Sequence, residues 1–200
     1  MTDLNMSVGL LKLTSCFKGK EDSMTIEISE KGSEAFYKEV VNVVVQYRYI
    51  LKNHNHKLGD YFKQYKILLT AGAVILGILV LMMVFWGTNT PDAVIAIALA
   101  IVLLFCALFY GNLNKMLKSM LQDNRTSVLT LDENGVELSK GNTQTVRIGW
   151  DNVACIRQYK ESLNFVSADQ TGFVISADKR YADSILAWLK ENRPEAEVIA

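Results

Sequence analysis

The chain has no surplus of charge of either sign: 21 Lys and Arg balance 21 Asp and Glu over 200 residues. That balance argues against nucleic acid as the main partner, because binding to a phosphate backbone depends on a basic surplus. Cysteine is scarce, with Cys16, Cys106 and Cys155 at no paired spacing. Such a set reads as reduced or buried thiols and not as a disulfide framework. The two histidines, His54 and His56, stand two positions apart. They would leave a helix in different directions, and no further soft ligand nearby completes a metal site, so no metal or other cofactor is expected. The N-terminus lacks a basic segment followed by an apolar core and a small-residue cleavage site, and no removable signal peptide is read there.

The most informative absence is local. Residues 67–87 and 93–110 contain no Asp, Glu, Lys, Arg or His. As helices they would be about 31 Å and about 27 Å long, close to the hydrocarbon thickness of a bilayer. The link between them is Thr88-Asn89-Thr90-Pro91-Asp92, which predicts a tight two-helix transmembrane hairpin. Trp86 and Tyr110 stand at the ends of the two stretches, where amphipathic rings favour the headgroup level. Arg48, Lys52, Lys57, Lys63 and Lys66 precede the first stretch, Lys115, Lys118 and Arg125 follow the second, and the link holds no Lys or Arg. The positive-inside rule then predicts a multi-pass protein of the cell inner membrane with both termini cytoplasmic, the lipid bilayer being its first partner. Ala73-xxx-Gly77 and Ala96-xxx-Ala100 are small-residue pairs that let such helices approach closely, within the hairpin or in a homo-oligomer.

Around the hairpin the chain divides into segments. Residues 1–23 show no clear periodicity and are expected to be a poorly ordered extension. Within 24–66, the alternation of Met24, Ile26 and Ile28 predicts a short strand, and Met24 is a candidate start of translation. Phe36, Val40, Val43, Val44, Tyr47, Ile50 and Leu51 recur at helical spacing and predict a long cytosolic helix. Residues 111–125 read as a juxtamembrane linker. Residues 126–200 read as a distinct soluble domain. Strands are expected at 127–131, 136–139, 145–150, 155–160, 163–167 and 173–176, with turns at Asn134-Gly135, 140–143 and 169–172. The period then changes: Tyr181, Ile185, Trp188 and Leu189 share a helical face, Asp178 is placed to cap, and Pro194 lies beyond the end.

The expected fold class is therefore α+β: a transmembrane hairpin followed by a small antiparallel sheet or barrel closed by one helix, as in pleckstrin-homology-like domains. The layout resembles the YcxB-like family of bacterial membrane proteins. The residues carrying the likeness are 129–136, Trp150-Asp151-Asn152-Val153 with Ile156, and 174–181. It spans about residues 24–192. Where that family is expected to carry Ile-Pro-Lys-Arg, this chain has Ser176-Ala177-Asp178 before Lys179 and Arg180. The resemblance implies architecture and no reaction.

Catalysis needs convergent groups, and residues 126–200 contain no His, one Cys beside an apolar Ile156, and no glycine-rich phosphate loop. Asp151 and Asp178 fit turn or cap positions, and Trp150 and Trp188 fit apolar anchors. The expected function is thus a noncatalytic interaction module that presents a cytosolic domain beside the inner membrane to a protein segment or an anionic lipid headgroup. Lys179 and Arg180 are the basic candidates for that contact. Oligomeric transport or pore formation is the alternative, which the absence of any intramembrane ionisable residue disfavours, and a cryptic membrane hydrolase comes last.

Overall fold

The computed structural model describes residues 23–28, 30–87, 89–141, 144–169 and 173–199. The expectations for residues 1–22, and for parts of the turns at 140–143 and 169–172, lie outside the described residues.

The first strand, β1 (Met24–Ile28), does not stand apart from the C-terminal region. It pairs antiparallel with β2 (Ser127–Asp132), Met24 facing Leu131 and Ile28 facing Ser127. The first sheet continues through β3 (Gly135–Lys140) to β4 (Gln144–Gly149) in the order β1-β2-β3-β4. The β2–β3 connection is held by Asp132, whose carboxylate accepts from the N–H groups of Asn134 (2.7 Å) and Gly135 (3.0 Å). Gly135 itself begins β3 opposite Asp132. A Cβ there would lie 2.2 Å from the Ile148 carbonyl oxygen, so close approach to β4 requires the glycine. Gly141, at the next turn, has φ of 54°, a conformation that glycine enters without steric cost.

A short 3-10 turn, Trp150–Asn152, carries the chain to the second sheet. This sheet comprises β5 (Val153–Gln158), β6 (Ser162–Ser167), β7 (Val174–Asp178) and β8 (Val198–Ile199), ordered β7-β6-β5-β8. β8, not anticipated from the pattern, pairs in parallel with Ile156 and Arg157. Asp178 caps a second 3-10 turn, Lys179–Tyr181, by accepting from the Arg180 N–H, and the last helix follows at Ala182–Asn192.

That helix and the two sheets share one core. Leu129, Leu131, Val136, Ile148, Ile156 and Phe165 meet Ile185 and Leu189 there, all at most 3 % exposed. Each such side chain contributes roughly 1.5–3 kcal/mol through removal from water. β6 is buried along its whole length because both faces are covered. Leu163 and Phe165 enter the shared core, while Val166 meets a separate cluster under the helix α1 (Glu34–Lys52).

α1 begins at Ser33, whose side chain accepts from the Phe36 N–H. One side of α1 places Val43, Tyr47 and Ile50 against Cys155 and Val166 of the second sheet. The other places Val41 against Phe62, Leu113 and Leu117 of the two long helices. These are α2 (Tyr61–Trp86), capped by Asp60, and α3 (Thr90–Gln122). Pro91 and Asp92 lie in the first turn of α3 and not in the connection, which is confined to residues 87–89. Proline suits that position because its missing N–H would have no helical partner there. Residues 111–122 are helical where a linker was expected, since Leu113 and Leu117 find an apolar seat against α1. Within the hairpin, Gly72 is buried and a Cβ at that position would lie 2.3 Å from Leu103 Cδ2. Gly77 has nothing within 4 Å of its notional Cβ, so the close approach falls at Gly72, outside the small-residue pairs read from the spacing.

Candidate functional site

α2 and α3 are long and apolar enough to cross a membrane. Their apolar side chains face outward: Phe85 is 76 % exposed and Trp86 80 %, and Val74, Ile78, Ile97, Ile101 and Phe105 are exposed along the shafts. Such a continuous apolar surface far exceeds the patches tolerated on soluble monomers. At the opposite end from Trp86, Tyr61, Phe62, Tyr65, Phe109 and Tyr110 form an aromatic cluster, with the Tyr65 and Phe109 rings 4.8 Å apart and the Phe62 and Tyr110 rings 6.5 Å apart. Tyr65 and Trp86 are separated along α2 by about 32 Å at the helical rise.

The two basic candidates share the 3-10 turn before the last helix and have different environments. Arg180 is committed within the protein: its guanidinium donates to Glu30 Oε2 at 2.7 Å, to Asp178 Oδ1 at 3.2 Å and to the Lys31 carbonyl at 3.3 Å. Its hydrogen bond to the Asp178 carboxylate raises its already high pKa. Lys31 in turn donates from Nζ to the Leu121 carbonyl of α3 at 2.9 Å. Lys179 is exposed, and its side chain makes no ion pair among the described residues. Its backbone N–H donates to the Glu161 carbonyl.

Trp150 and Trp188 stack with ring centroids 6.1 Å apart and 21° between planes. Trp150 donates from Nε1 to the Asp132 carbonyl at 2.8 Å, and the Arg193 guanidinium lies over its ring at 5.4 Å. Both indoles are half-buried, and their faces serve one another and Arg193.

The histidines separate. His56 contacts Gln46 Oε1 through Nε2 at 3.1 Å and stacks on Tyr49, whereas His54 borders a shallow depression of about 290 Å³ between β5 and residues 195–199. Among the described residues no group of His, Cys, Asp and Glu could hold a metal ion. Cys106 and Cys155 are unpaired, and burial pushes the Cys155 thiol pKa up despite the neighbouring Arg157.

One pair of residues escaped the sequence reading. Arg157 and Tyr159 share a face of β5 and its extension with Cys155, and that face is roofed by α1 and by the loop leading into α2. Alternation marks these positions as the solvent side of a strand. A covering helix more than a hundred residues earlier in the chain leaves no local signal. Comparison with family models, curated proteins and solved structures finds no match to this chain.

Proposed function

We propose that the protein is a noncatalytic, membrane-anchored interaction module whose α2–α3 hairpin spans the inner membrane and whose sheets and flanking helices form a cytosolic domain. The observation that carries this reading is the outward-facing apolar surface of α2 and α3, free of ionisable side chains between residues 67–87 and 93–110. Lipid tails satisfy such a surface without cost, whereas water does not. The aromatic cluster near Tyr65 and the exposed Trp86 then fall at the two interfaces. The Lys and Arg residues flanking the hairpin favour cytoplasmic ends, and a pleckstrin-homology-like arrangement of the YcxB-like type accounts for the sheets and closing helix.

Lys179, exposed and without an ion pair among the described residues, is the candidate of the two for contact with an anionic lipid headgroup or acidic protein segment. Arg180 holds its own turn. A reporter fused after Ala200 is expected to be active in its cytoplasmic form and silent in its exported form, with the reverse for a reporter inserted at residues 88–92. Exported activity after Ala200, or extraction of the intact protein from membranes by alkaline carbonate, would overturn the assignment.

A further inference from the structure

Arg157 is 5 % exposed, yet among the described residues no carboxylate lies within ion-pairing distance of it. Its side-chain hydrogen bond is a long one, from Nη2 to the His56 carbonyl at 3.3 Å, and its Nε is buried without a partner. Beside it, the Tyr159 hydroxyl is also buried and meets no acceptor for its proton; the guanidinium, 5.1 Å from the Tyr159 ring centroid, is its polar neighbour and partly offsets the effect of burial on the phenol. A buried charge is ordinarily paired, because an unpaired one has given up its hydration with nothing to replace it. The nearby acid does not pair with it: Glu39 accepts through Oε1 from the Glu161 N–H at 2.9 Å and the Ser162 hydroxyl at 2.6 Å, its charge reaches Tyr159, and among the described residues it makes no ion pair with Arg157.

Two donors without an acceptor, the Arg157 Nε–H and the Tyr159 O–H, therefore sit together beneath one loop, beside an Nη2 held only by the long bond to the His56 carbonyl. The loop, residues 53–60, is held by Gln46, which accepts from the Gly59 N–H at 2.9 Å and donates to the Gly59 carbonyl at 2.6 Å. It ends at the N-terminus of α2, so the site lies directly under the segment that leads into the apolar hairpin. The depression bordered by His54, Cys155, Ile156 and Ile199 reaches the strand positions immediately before Arg157.

We propose that Arg157 and Tyr159 form a phosphate-binding site, closed in this conformation by loop 53–60 and opened by its displacement. A phosphate suits the donors: guanidinium binds oxyanions through two parallel N–H groups, and the phenol O–H supplies a third contact to another oxygen. The phosphate comes from a lipid headgroup or from a soluble phosphate compound, and the experiment distinguishes the two. The lipid source rests on the membrane reading above, whereas the soluble source does not.

The full chain is reconstituted in zwitterionic phosphatidylcholine nanodiscs, with or without 10 mM inorganic phosphate, and in nanodiscs containing phosphatidic acid. The unfolding temperature is followed in each, with sulfate-free buffer of matched ionic strength as reference. Ligand binding to the native state is expected to raise the midpoint by about 3 °C in at least one arm. Inorganic phosphate alone identifies a soluble ligand; phosphatidic acid alone identifies a headgroup. Arg157→Met is expected to abolish the rise, and Tyr159→Phe, which leaves the packed ring in place, is expected to reduce it even if Arg157→Met does not fold. No rise in any arm, or an equal rise in Tyr159→Phe and in any folded Arg157→Met protein, overturns the proposal.

Discussion

The Arg180 guanidinium donates to the Glu30 carboxylate at 2.7 Å across 150 positions of sequence. The bond joins the start of the last helix to the segment between β1 and α1, and Asp178 and the Lys31 carbonyl complete the clasp. Two adjacent bases consequently have separable roles.

Replacing Arg180 with Gln is expected to lower stability by about 1 kcal/mol, the scale of a partly exposed ion-pair network. Replacing Lys179 with Gln is expected to leave the unfolding free energy within about 0.5 kcal/mol of the parent, as exposed substitutions usually do. Binding to anionic vesicles should respond in the opposite sense, weakening for Lys179→Gln and in added salt. Chemical unfolding and vesicle flotation on both variants measure the separation; equal losses of stability would refute it.

Residues 126–200 expressed alone lack β1 and α1, leaving β2 with a bare edge and the Cys155 and Val166 face uncovered. Such a fragment is expected to bind hydrophobic dyes and to unfold at lower denaturant than one in which residues 23–52 are joined to residue 126 by a flexible linker in place of the hairpin. A fragment of equal stability in both forms would show that β1 and α1 add nothing to the fold.

Asp132 provides an acid-sensitive point. Burial opposes ionisation of its carboxyl, but hydrogen bonds from the Asn134 N–H and the Arg147 guanidinium, the charge of Arg147, and the Gly135 N–H outweigh it and lower the pKa. A depressed folded-state pKa means that its stabilisation is present above the unfolded value of about 3.9 and is lost as pH falls through the folded value. Asp132→Asn keeps an oxygen acceptor for the turn and loses the charge pairing with Arg147, which stands 2.7 Å away. The variant is expected to be less stable than the parent at pH 7 and nearly equal to it near pH 2, as read by urea unfolding across that range.

Inside the hairpin, Gly72→Val would push against Leu103, whereas Gly77→Val enters open space. Overpacking a close contact costs about 1–3 kcal/mol. A cysteine pair engineered across α2 and α3 should therefore crosslink more slowly in Gly72→Val than in Gly77→Val. Equal rates would place the helix contact elsewhere.

Much of this architecture was legible because its signals are local. The absence of charge marked α2 and the apolar part of α3, alternation marked the strands through β7, and the short oxygen acceptor at Asp178 marked a cap, though of the 3-10 turn and not of the last helix, whose N-cap is Tyr181. What escaped notice depends on distant partners. β8 is two residues long and its pairing with β5 has no periodicity to reveal it. The helical continuation from Gly111 to Gln122 depends on the seat that Val41 of α1 offers to Leu113 and Leu117. Arg180 showed its charge in the sequence, but its occupation by Glu30 did not, because nothing local to either residue encodes a meeting 150 positions apart. Arg157 was hidden in the same way, by a roof supplied from another part of the chain.

The pairing of Met24–Ile28 with Ser127–Asp132 also imposes a parity. Both strands belong to one sheet, so the chain that leaves after the first must come back to the same compartment before the second can form. Any excursion between them crosses a bilayer an even number of times. With two apolar helices in that interval, the permitted totals are none or two; a single pass, with the second helix lying flat on the far surface, is ruled out by the closure of the sheet, independently of where the lysines lie.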